Sequence, residues 1–169
     1  MVTRHKKIGI ALAIIILSVF IIHTVCNDDG YSKIVGKYQK FEKEISQIAE
    51  YLEGLDATEV YIAADENDDY FAYDCSHVPV SELVIEEDTV LRSLTVIWNA
   101  GCDCITKEGP CIYFQFIANL DDGWGILYMC ENTAPPSKDS SGISLVTKLI
   151  ESNVYYYRTD LNGVYDEPK

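Results

Sequence analysis

The sequence predicts an α+β protein: an N-terminal transmembrane helix, an amphipathic helix, then an antiparallel sheet of about five to six strands with one further helix. Three observations carry this. Residues 8–25 hold no charged side chain. From Tyr31 to Leu55 apolar residues recur at spacings that alternate between three and four, the period of a helix with one apolar face. Beyond residue 56, short aromatic and β-branched stretches are separated by polar turn residues, as in hairpins. The expected division is residues 1–7 as a cytoplasmic N-terminus, 8–25 as the anchor, and 26–56 as a membrane-proximal amphipathic helix. Residues 57–159 then form an extracytoplasmic α+β domain and 160–169 a polar tail.

The run from Ile8 to Val25 is mostly Ile, Leu, Ala, Val and Phe, with Ser18, His23 and Thr24 as polar members. As a helix it is about 27 Å long, close to the hydrocarbon thickness of a thin bilayer. A cleaved signal peptide has a shorter apolar region and small residues at its exit, whereas this exit reads His23, Thr24, Val25, Cys26. Lipidation of Cys26 after cleavage is a further alternative, with Val25 standing where such sites carry Gly, Ala or Ser. Arg4, Lys6 and Lys7 precede the run and Asn27, Asp28 and Asp29 follow it. Basic flanks stay cytoplasmic, so the rest of the chain is expected outside a single-pass membrane anchor. The chain has no Asn-x-Ser/Thr sequon, which fits a bacterial source.

All 27 carboxylates follow residue 27, together with only 10 of the 13 Lys and Arg, so the outer part carries a net charge of −17. Such a field repels phosphate backbones and anionic headgroups, which argues against nucleic-acid binding and against peripheral lipid binding through this surface. The partners left are the membrane itself, through residues 8–25, and a protein or cell-envelope component.

In the amphipathic helix the stripe is Tyr31, Ile34, Tyr38, Phe41, Ile45, Ile48, Leu52 and Leu55, ended by Gly54 and Asp56. The same spacing suits a coiled-coil seam between two anchored chains, while Val35, Ala49 and Tyr51 widen it toward the face of a helix packed on its own sheet. Glu59 to Ala64 and Tyr70 to Cys75 read as a hairpin about the turn at 65–69. Val90, Leu91, Leu94, Ile97 and Trp98 sit at helical spacing, with Asp88 as N-cap and Gly101 past the end. Cys102 to Thr106 and Cys111 to Ala118 flank a turn over Lys107, Glu108, Gly109 and Pro110. Trp124 to Glu131 and Asn153 to Thr159 are further strands, Thr133 to Gly142 is a loop, and Ser144 to Ile150 is left undecided.

Few residues suggest chemistry. His77 is the one histidine beyond the anchor, and its neighbour Ser76 points away from it on an extended chain, so the two do not form a nucleophile and base. No catalytic or cofactor motif is found, and no cofactor is expected. Gly30 to Lys37 misses a phosphate loop by one residue of spacing, with Tyr38 where Ser or Thr belongs. Asp65, Asn67 and Asp69 begin like a calcium loop, but Tyr70 and Ser76 occupy the glycine and glutamate positions. Centring the turn between Lys107 and Glu108 sets Cys104 opposite Cys111, making these the candidate disulfide outside a membrane. Free thiols, or a metal held by Cys102, Cys104 and Cys111, are the alternatives. Alternation separates Ile112, Phe114 and Phe116 from Cys111, Tyr113 and Gln115. The candidate binding face is that of Tyr113 with Tyr155, Tyr156 and Tyr157, since tyrosine offers large contact area at small entropic cost.

These readings lead to a single-pass, membrane-anchored extracytoplasmic domain that acts as a noncatalytic binding or interaction module. A hydrophobic helix running into an amphipathic helix and then a sheet also resembles the type IV pilin-like proteins, which implies a structural subunit. This chain departs from them in lacking a Gly-Phe processing site and a glutamate early in the apolar segment. A hydrolase of cell-surface glycans working through carboxylates is the third class, with no pair of acidic residues singled out.

Overall fold

The computed structural model describes residues 30–64, 70–118, 123–131 and 133–160. The expected anchor at 8–25, the turn at 65–69 with its partial calcium-loop pattern, and positions 161–169 of the tail lie outside the described residues. No helix among the described residues is long and apolar enough to cross a membrane.

Helix α1 covers residues 30–53. Its stripe is buried at Ile34, Tyr38, Ile45, Ile48, Ala49 and Leu52, in one core with Val60, Ile62, Ile105, Ile112, Phe114 and Ile126 of the sheet. Each Ile or Leu side chain removed from water contributes about 1.5–3 kcal/mol. The structure therefore holds the second of the two arrangements open to this stripe, packing within the chain.

Eight strands follow among the described residues, two more than the upper expectation: β1 (Glu59–Ala64), β2 (Tyr70–Asp74), β3 (Ser81–Glu82), β4 (Cys104–Glu108), β5 (Cys111–Ala118), β6 (Gly123–Met129), β7 (Ser144–Glu151) and β8 (Val154–Asp160). They form one antiparallel sheet in the order β3-β2-β1-β4-β5-β6-β8-β7. The additions are the two edges. β3 is two residues long, and β7 resolves the undecided segment 144–150 as a strand with a neighbour on one side only.

Helix α2 (Asp88–Asn99) crosses from β3 back to β4 and adds Val90, Leu94 and Ile97 to the core. Its first helical residue is Asp88, which corrects the expected N-cap. Glu87 holds that position without a side-chain hydrogen bond, while the Asp88 carboxylate sits in the first turn, where the helix dipole favours it. At the other end Gly101 adopts φ +84°, and the amides of Gly101 and Cys102 donate to the carbonyls of Trp98 and Ile97. That is a Schellman closure, which needs the left-handed conformation glycine supplies.

Both helices end against a lysine from another element. The Lys37 ammonium of α1 donates to the carbonyl of Ala100, beyond an α2 last turn that has no basic residue of its own. It also lies 4.9 Å from the centre of the Phe116 ring. Lys107 of β4 donates to the carbonyls of Leu52 at 2.8 Å and Leu55 at 3.1 Å, at the end of α1. Ser93 of α2 donates to Gln47 of α1 at 2.8 Å, joining the two helices.

Candidate functional site

Both helices cover the same face of the sheet. By register, Glu59, Tyr61 and Ala63 of β1 point to the opposite face, next to Phe71 and Tyr73 of β2 and to Cys104, Thr106 and Glu108 of β4. One row across this second face runs Tyr73, Tyr61, Thr106, Tyr113, Leu127, Tyr155. The next row includes Phe71, Cys104, Gln115, Gly125 and Tyr157.

The two ends of these rows differ. At β1 and β2 the rings are open to water: Tyr61 and Tyr73 are each 38 % exposed. Phe71 sits between them, its ring centre 6.4 Å from Tyr61 and 5.7 Å from Tyr73. Toward β5, β6 and β8 the loop 133–143 folds back over the face. Ser140 donates to the Glu108 carboxylate at 2.8 Å, and Leu145 donates its amide to Ser137. Tyr113 and Tyr157, packed edge to face at 5.3 Å, belong there to a second apolar cluster with Cys111, Leu127, Met129 and Leu145.

This corrects the expected grouping of tyrosines. Tyr113 is only 8 % exposed and Tyr157 only 3 %. Tyr155 packs beside them, but alternation turns Tyr156 to the helix face, against the main core. Sequence reasoning misses the open rings Tyr61 and Tyr73 and the Phe71 ring between them. Alternation in β1 and β2 marks them as sharing a face, but nothing local says that this face lies away from the helices.

Where loop and sheet meet, a cavity of about 100 Å³ is lined by Glu108, Asp139, Tyr113, Tyr157, Gln115 and Thr159, among others. Its electrostatics are negative. Burial, then the neighbours Cys111, Glu108 and Asp139, push the Tyr113 hydroxyl far above its ordinary value. Burial acts first on Tyr157 as well, followed by Cys104, Cys102, Tyr113 and Glu108. A larger cavity of about 350 Å³ lies at the end of α1, lined by Glu53, Asp56, Lys107 and Cys130. Lys107 there is committed to the helix carbonyls.

The cysteines do not meet as expected. The β4–β5 hairpin closes over Gly109 and Pro110 alone, with Gly109 at φ +56°, the conformation its first central position needs. Cys104 therefore faces Gln115 and Cys111 faces Glu108. The two thiols share a face but stand four residues apart along the strands, about 13 Å. A disulfide spans only about 4.4–6.8 Å between Cα atoms. Cys75, Cys102, Cys104, Cys111 and Cys130 are free thiols, and burial pushes the last four up in pKa, which keeps them protonated and weakly nucleophilic. Among the described residues no group of three or more His, Cys, Asp or Glu is placed to hold a metal ion. Ser76 accepts the backbone amides of Thr58 and Glu59 and so closes a loop, while His77 beside it is exposed.

Fold and site together define an α+β domain with one sheet face under two helices and the other partly open, aromatic and acidic. No protein-family model matches the chain, and no curated protein or solved structure matches it.

Proposed function

We propose that the chain is a noncatalytic binding module, tethered through residues 8–25 with its domain on the outer side of a membrane, and that it meets a protein partner through the open sheet face. The observation that supports this reading is the pair of exposed rings Tyr61 and Tyr73, with the half-buried Phe71 between them, on the face away from the helices. Rings of this kind present large, stiff contact area and commonly anchor interfaces. The tether rests on the length of the apolar run and on its basic flank.

The test is site-specific photocrosslinking of the full chain in its native membrane, with a benzophenone amino acid at position 61, 73 or, as control, 50 on the exposed side of α1. A discrete product from 61 and 73, absent from 50 and lost on Phe71→Ser, is the expected result. No product from either position, or equal products from all three, overturns the reading. A ladder spaced by the mass of one chain makes the occupant a second copy and favours the pilin-like subunit instead.

A further inference from the structure

We propose that the small cavity between the sheet and the loop 133–143 is the seat for one cationic side-chain tip of the partner, the ammonium of a lysine or the guanidinium of an arginine. This rests on the reading of the open face as the binding surface and names the chemistry it selects. Size comes first. Pockets for whole small molecules run to about 300–1,000 Å³, so about 100 Å³ accommodates a group of a few heavy atoms at the end of a chain, not a metabolite.

Charge comes second. The basic residues of the eight strands are Lys107, Lys148 and Arg158, and register places all three on the helix face, in line with Ile105, Tyr156 and Trp124. The charged strand residues of the open face are the carboxylates Glu59, Glu82 and Glu108, to which the loop adds Asp139. Lys138 precedes Asp139 but is exposed and does not line the cavity. Glu108 accepts from Ser140, and Asp139 accepts the amide of Ile143 at 2.7 Å. These neutral donors fix the carboxylates without cancelling their charge. A cation is thus attracted into the cavity and an anion refused.

The walls supply the third element. Tyr113 and Tyr157 are the aromatic surfaces against which an alkylammonium or guanidinium packs favourably. Tyr157, only 3 % exposed, is a fixed wall of the cavity rather than a mobile surface ring. Gln115 offers a carbonyl oxygen that already accepts from the Cys104 thiol at 3.6 Å. The open rings Tyr61, Phe71 and Tyr73 adjoin the cavity across Thr106, so a side chain entering it brings its own backbone over them.

The test is nuclear magnetic resonance of the full chain in detergent micelles with labelled tyrosines, titrated with butylammonium, with methylguanidinium and with neutral butanol. Saturable shifts of the Tyr113 and Tyr157 signals with the two cations, and none with butanol, are expected. Glu108→Gln and Asp139→Asn should each weaken the cations about tenfold without shifting the thermal midpoint, whereas Glu50→Gln on α1 leaves them unchanged. Asp139→Asn, in the loop, serves alone if Glu108→Gln fails to fold. Equal response to butanol, or cation affinity indifferent to both substitutions, overturns the proposal. If that happens while crosslinking from positions 61 and 73 persists, the cation seat falls and the binding face stands. If both fail, the face itself is misassigned.

Discussion

Replacing Lys107, a residue only 6 % exposed, by Met removes its ammonium while keeping most of its apolar stem. Two charge-assisted hydrogen bonds are lost, to Leu52 and Leu55. Each is worth about 1.5–3 kcal/mol, and the attraction to the helix terminus adds about 0.3–1 kcal/mol. Against this, methionine removes the cost of holding a charge out of water, which amounts to several kcal/mol in a dry site. The cavity at the end of α1 admits water beside this group, which reduces that cost and also lets water partly replace the lost donor. The balance is a net loss of about 2–3 kcal/mol, or a fall in Tm of about 6–12 °C for a domain of this size. Thermal unfolding of the full chain in detergent, followed by circular dichroism, measures it. Lys107→Arg should recover part of the loss. A Lys107→Met protein as stable as the parent would show that the buried charge costs as much as its hydrogen bonds return, and the account of α1 termination given above would be wrong.

Two more outcomes follow from the close packing of the sheet and from its buried tyrosines. A Cβ on Gly125 would overlap the Phe114 carbonyl and lie 2.8 Å from Tyr157 Cε1. Gly125→Ala should therefore cost more than about 3 kcal/mol and leave little soluble protein, and an unchanged unfolding midpoint would contradict the close packing of β5, β6 and Tyr157. The hydroxyls of Tyr38, Tyr113 and Tyr157 are all raised above the ordinary value of 10.0, by burial first, then by Glu151 for Tyr38, by Cys111 for Tyr113 and by Cys104 and Cys102 for Tyr157. The fold holds them neutral while the unfolded chain ionises them near 10. Their contribution to stability is complete below that pH and is lost as pH rises from it toward the folded values. Tyrosinate absorbance and circular dichroism should change together in alkaline titration. Ionisation of all twelve tyrosines with the dichroism intact would refute the burial of these three.

Legibility in the sequence follows how local the cause is. The period of α1 and the alternation of β5 are set by neighbours along the chain, and both are found as expected. The β4–β5 register is not, because Lys107 and Glu108 look like turn residues. Lys107 is a strand residue for a distant reason: its side chain reaches the end of α1, 52 and 55 positions away. β7 escapes because an edge strand has one neighbour and weak alternation. The burial of Tyr113 depends on the loop 133–143 lying over it, which no pattern near Tyr113 records. The division of Tyr155 and Tyr157 from Tyr156 was available from alternation alone. What the sequence hides about the candidate site is which sheet face the helices take, and that choice decides which rings are core and which are open.

The bond from the Tyr38 hydroxyl to Glu151, 2.6 Å long and spanning 113 residues, has a consequence for the order in which the molecule is assembled. α1 precedes the sheet in the chain, but the core it shares includes Val154 and Tyr156 of β8, the last of the described strands. The central hairpins β4, β5 and β6 connect near neighbours and can pair as they emerge, whereas long-range closure of the core waits for β8. Until β7 and β8 are made, the apolar face of α1 thus lacks part of the sheet that covers it. Completion of the β7–β8 hairpin, rather than formation of either helix, is therefore the step that closes this core.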